Sequence, residues 1–96
     1  MQLILSNRGN PDHGQNPDWP VYGTASDYTV AVKDLAEAKE KCAEYIKYHN
    51  LGGSNWTGGQ VLEKENTLSG SYKLIAYISY NGRIWKNENC KEEIIL

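Results

Sequence analysis

The sequence contains no phenylalanine, only two cysteines, and no excess of basic residues. Each scarcity excludes something. With no Phe, the aromatic content is seven Tyr and three Trp, all carrying a polar handle, so some of them belong at the core edge or in a binding surface. The formal net charge is -2, and Lys and Arg are scattered, which argues against a nucleic-acid partner. DNA mimicry needs a larger negative excess. No apolar run approaches the ~20 residues of a membrane span. The opening Met1–Ser6 stretch is too short for a signal-peptide core and no basic residue precedes it, so it reads as a strand, and the cytoplasm is the expected location. Cys42 and Cys90 then fit free thiols, and neither has a partner at metal-ligand spacing.

At 96 residues, with 40% apolar and 23% charged residues, the chain predicts a single domain spanning 1–96. Gln2–Ser6 reads as a first strand. Residues 7–27 hold three Pro, three Gly and many Asn and Asp, a composition that opposes helix and strand alike. A structureless loop of this length is usually functional or disordered. Tyr28–Lys33 alternates apolar and polar positions as a second strand. Asp34 and Glu37 have the spacing of a helix-capping arrangement. Leu35, Ala38, Cys42, Tyr45, Ile46 and His49 then form one apolar stripe of a helix running to about Asn50, with Gly52 or Gly53 as its left-handed stop.

Gln60–Lys64 is a third strand, and Glu65–Ser71 a turn. Tyr72–Tyr80 is apolar on both faces and should lie centrally. Asn81-Gly82 signals a type I′ hairpin turn, with Arg83–Lys86 as the returning strand. Residues 87–96 form a polar tail whose last three residues add a short strand or fray. The fold expected is α+β: one amphipathic helix on a mostly antiparallel sheet of about five strands, in the order β-β-α-β-β-β.

If each element reverses its predecessor, three loops meet at one end. That end collects Asn10, Asp12, His13, Gln15, Trp19, Asn55, Trp56, Asn81 and Arg83, the residues expected to contact a ligand or partner. Trp56 and Trp19 could stack a planar group, or Trp56 could cover the sheet edge. Arg83 beside aromatics suits an anion or a planar ring, although cross-strand pairing is the commoner role. Asp12 and His13 are adjacent, and an acid–base role would need a nucleophile or metal beside them; an Asx-type turn with a surface imidazole is the commoner arrangement. The glycines of 51–59 follow a helix, whereas phosphate-binding loops precede one.

Two segments, Leu51-Gly-Gly-Ser-Asn-Trp-Thr-Gly-Gly-Gln-Val61 and Ile78-Ser-Tyr-Asn-Gly-Arg-Ile-Trp85, resemble small proteins of phages, prophages and other bacterial mobile elements. Gly9–Pro17 fits the same pattern. The resemblance implies action by binding, including inhibition of a host protein. It carries no specific activity. The leading expectation is therefore a non-enzymatic binding or adaptor protein with no cofactor and no metal, using the three loops to hold a host protein or a small polar ligand. Two other readings stay open: sequestration of a nucleotide-like molecule, and an enzyme using Asp12 and His13. Exposed outer strands would also allow a homo-oligomer.

Overall fold

The computed structural model describes residues 1–65, 68 and 70–96. One helix packs on a five-stranded antiparallel sheet, and the elements follow the predicted order. They are β1 (Gln2–Leu5), β2 (Tyr28–Ala31), α1 (Leu35–Tyr48), β3 (Gln60–Lys64), β4 (Tyr72–Ile78) and β5 (Ile84–Trp85). In space the strands run β2-β1-β3-β4-β5, and every neighbouring pair is antiparallel. The central strand is β3 rather than the more apolar β4. Val61 explains this: it lies between Leu3 of β1 and Ala76 of β4, and all three are fully buried. No helix among the described residues is long and apolar enough to cross a membrane.

The start of α1 follows from its sequence. The Asp34 carboxylate accepts from the Glu37 N–H at 2.8 Å, and Glu37 reaches back to the Lys33 N–H at 3.0 Å. Two of the unpaired donors at the helix entrance are thereby satisfied. Ala38, Cys42 and Tyr45 bury one face of the helix against the sheet.

The stop differs from expectation. Asn50, not Gly52 or Gly53, adopts the left-handed conformation, at φ 52. The N–H of Asn50 then returns to the Lys47 carbonyl and that of Leu51 to the Ile46 carbonyl, while Leu51 buries its side chain. Asn tolerates this conformation better than most residues, and the two bonds satisfy otherwise orphaned carbonyls.

The hairpin also departs from the type I′ geometry. Only Gly82 has positive φ there, at 81. Its N–H closes a turn on the Ser79 carbonyl, and the Ser79 N–H bonds the Arg83 carbonyl. This is a three-residue loop with a glycine bulge, which needs one left-handed residue instead of two.

The turn expected over Glu65–Ser71 includes Asn66, Thr67 and Ser69, which lie outside the described residues; the Glu65 N–H bonds the Ser71 carbonyl at its base. Beyond β5 the chain turns back, and Glu92 and Ile94 bond Lys86 and Ile84 along the outer side of that strand. The sheet edge at β5 is thus covered by the chain's own tail.

Gly58 and Gly59 are glycines for reasons of space. A Cβ at Gly58 would lie 2.8 Å from the Ile4 carbonyl oxygen, and one at Gly59 would lie 2.1 Å from that of Ile78. The Gly59 N–H bonds the Ile4 carbonyl, and its own carbonyl receives the Ile78 N–H. The chain therefore enters β3 by threading between β1 and β4 at a separation no side chain fits.

Candidate functional site

The three loops do share one end of the fold, as the alternating strand directions require. The Arg8 N–H bonds the Asn55 carbonyl, and Tyr80 at the hairpin tip donates its hydroxyl to the Leu51 carbonyl. What the loops build there is a closed hydrogen-bond network. Asn55 donates to the Arg8 carbonyl and to Gln15 Oε1, at 2.9 and 3.0 Å. Gln15 Oε1 also accepts from the Asn10 N–H, and the Asn10 carboxamide donates to Ser54. Asn10, Gln15 and Asn55, three of the expected contact residues, therefore bond to each other, to Ser54 and to the backbone.

The remaining expected residues separate into distinct settings. Asp12 and His13 lie exposed in a single 3-10 turn, Pro11–His13, whose entrance is capped by the Asn10 side chain. Trp19 is also exposed. Trp56 is buried, with its indole N–H donating to the Ile78 carbonyl and its ring 5.8 Å from that of Tyr45. Asn81 accepts from Ser79, and the Arg83 N–H lies 3.4 Å from the Asn81 carboxamide oxygen. The Arg83 side chain lines a separate cleft with Lys39 and the C-terminal residues Ile94–Leu96. Trp56 and Arg83 thus form no joint grip. Among the described residues, no group of three His, Cys, Asp or Glu is placed to hold a metal ion.

The residue that orders the long loop is Asn7. It is wholly buried, and its carboxamide makes four bonds. Nδ2 donates to the Tyr45 hydroxyl at 2.8 Å and the Ala25 carbonyl at 3.2 Å; Oδ1 accepts from the Val21 N–H at 2.7 Å and the Thr24 hydroxyl at 3.0 Å. One side chain so ties the end of β1 to α1 and to the return path of the loop. Arg8 adds a two-pronged ion pair with Asp27, 2.5 Å at each prong, and the Ser6 hydroxyl donates to the same carboxylate. The Arg8 guanidinium holds the Asp27 carboxyl below its ordinary value, with Ser6 assisting against partial desolvation.

A second concave surface, larger than the Arg83 cleft, lies between α1 and β2. Five strands about 4.8 Å apart span about 19 Å, and one helix covers only about 10 Å of that. The margin on the β5 side is partly filled by the C-terminal tail, whose Ile94 packs on the core, which leaves the smaller cleft beside Arg83 and Lys39. The margin on the β2 side remains open as a groove of about 500 Å³. Its floor is Leu5, Ala25 and Val30, and its walls are Tyr28, Tyr45, Tyr48 and His49. The rings meet edge to face: Tyr28 and Tyr45 at 6.0 Å, Tyr45 and His49 at 4.6 Å, Tyr48 and His49 at 5.0 Å.

Burial pushes the Tyr45 phenol upward, against the pull of the Asn7 hydrogen bond, so at neutral pH it stays protonated. Lys41 and Glu44 stand at the rim, 4.0 Å apart and of opposite sign. The lining is thus mainly apolar and aromatic with no net charge from its acid and lysine, a surface suited to a flat hydrophobic group.

Sequence reasoning missed this groove, although it placed Tyr45 and His49 on the buried stripe. A periodic stripe shows which face of a helix meets the sheet; it does not show where the helix sits across the strands. Comparison with protein-family models, with curated proteins and with solved structures finds no match for the chain.

Proposed function

We propose that the protein acts by binding, and that the α1–β2 groove receives an apolar, ring-bearing group of a partner protein. The observation that carries this reading is the unbroken row of Tyr28, Tyr45, His49 and Tyr48 beside an apolar floor. Its volume lies within the ~300–1,000 Å³ typical of ligand sites. Aromatic walls give large contact area at low entropic cost and favour edge-to-face packing of an incoming ring. The resemblance to mobile-element proteins suggests a host protein as the source of that group. The Asn7 carboxamide then plays a supporting part, holding Ala25 and Tyr45 in position.

The test is a titration of the labelled protein with indole, read by backbone amide shifts, with adenosine monophosphate as the competing chemistry. Indole should move the amides of Tyr28, Val30, Glu44 and Tyr48. Tyr48→Ala should weaken its binding about tenfold, or about 1.4 kcal/mol. Because Tyr48 is largely exposed, the same change should alter stability by less than about 0.5 kcal/mol. Shifts confined to Asn10–Trp19, or shifts with the nucleotide alone, would place the site outside the groove.

A further inference from the structure

Of the two edges of the sheet, one is covered and one is bare. The outer side of β5 carries Glu92–Ile94, whereas β2 has no strand beyond it among the described residues. Soluble proteins usually blunt such an edge with proline, charge, a bulge or a covering loop. Tyr28-Thr-Val-Ala31 has none of these, and Thr29 and Ala31 are exposed. The Val32 N–H bonds the Met1 carbonyl, and β2 pairs with β1 in unbroken register. Inward bonding therefore falls on Tyr28, Val30 and Val32, and the backbone groups of Thr29 and Ala31 point outward.

We propose that this edge joins a second copy of the chain, antiparallel, about a two-fold axis at Val30. The Thr29 N–H and carbonyl exchange bonds with the partner's Ala31, and the symmetric exchange follows at the other end. Charge selects this register. Centred on Val30, it sets Lys33 opposite the partner's Asp27 and Asp27 opposite the partner's Lys33; each Asp27 is already paired with Arg8 of its own copy but is partly exposed, so Lys33 joins that pair as a second cation. Shifting the centre to Thr29 sets Lys33 against the partner's Ala25; shifting it to Ala31 sets Lys33 against the partner's Thr29. Only the Val30 register pairs opposite charges at both ends, and an interface between identical copies must be complementary to itself.

The joined sheet has ten strands, five from each copy. Because Val30 faces the α1 side, Val30 and the partner's Val30 become neighbours and the two grooves open into one shared trough. The pairing rests on the edge and its charges, not on what occupies the groove, so indole binding and dimer formation can fail independently.

Sedimentation equilibrium and disulfide trapping test the proposal. The wild-type chain should show twice its monomer mass at high-micromolar concentration, and Lys33→Asp should raise the dissociation constant about tenfold. In a Cys90→Ser background, Val30→Cys should form a covalent dimer on mild oxidation. A non-hydrogen-bonded antiparallel pair sets its Cα atoms about 4.5 Å apart, within disulfide range. Thr29→Cys and Ala31→Cys, although more exposed, should not link to themselves. A monomer mass at every concentration would overturn the proposal. So would a dimer in which Thr29→Cys or Ala31→Cys links to itself and Val30→Cys does not.

Discussion

Asn7 has no accessible surface, and its carboxamide is the point at which β1, α1 and the long loop meet. Replacing it with alanine leaves the Val21 N–H without its acceptor and the Tyr45 hydroxyl without its donor. Unsatisfied buried groups cost more than the net value of the bonds they lose. Asn7→Ala should therefore lower the unfolding free energy by about 3 kcal/mol, measured by urea denaturation. Asp27 acts at the same scale with a definite sign. Its folded value is depressed, so its contribution is present above the ordinary carboxylate range near ~3.9 and is lost as pH falls through the folded value. Urea unfolding from neutral to acid pH should show a steeper acid loss for wild type than for Asp27→Asn. Both side chains of the pair are partly exposed, so the difference is modest.

At the scale of elements, the strands and helix were largely legible in the sequence, because alternation and three- to four-residue spacing are local properties. The two misplaced terminations are instructive. Gly52-Gly53 and Asn81-Gly82 were the obvious turn signals, yet Asn50 stops the helix and only Gly82 turns the hairpin. Glycine can adopt positive φ wherever it stands; whether it does so depends on where the next element must start. Leu51 must be buried, so the chain has to reverse one residue before it. Asn50→Gly should accordingly stabilise α1 slightly, by up to about 1 kcal/mol, and Asn50→Ala should destabilise it by about 1 kcal/mol. Thermal unfolding of the two variants gives opposite shifts if Asn50 is the stop, and shifts of the same sign if it is not.

At the scale of the molecule, the candidate site was legible in part. Chain reversal correctly brings the three loops to one end, but no sequence rule says whether the polar groups gathered there face a ligand or each other. Nor does strand count reveal strand order, and it is the order that leaves a margin beside β2. The hydrogen-bond clasp made by Asn7 and the groove are nevertheless mechanically one object. Asn7 holds the Ala25 carbonyl and the Tyr45 hydroxyl, and both residues line the groove. Releasing that clasp frees the loop wall while the far strands keep their pairing. In Asn7→Ala, held well below its unfolding midpoint, the Val21 and Thr24 amides should exchange with solvent much faster than in wild type. The Val61 amide, in the central strand, should keep the larger share of its protection, since it leaves the sheet only with global unfolding. Indole affinity should fall in the same variant, because one wall of the groove no longer has a fixed position. If the two loop amides already exchange freely in the wild-type protein, the long loop is not part of the cooperative fold and cannot shape the groove.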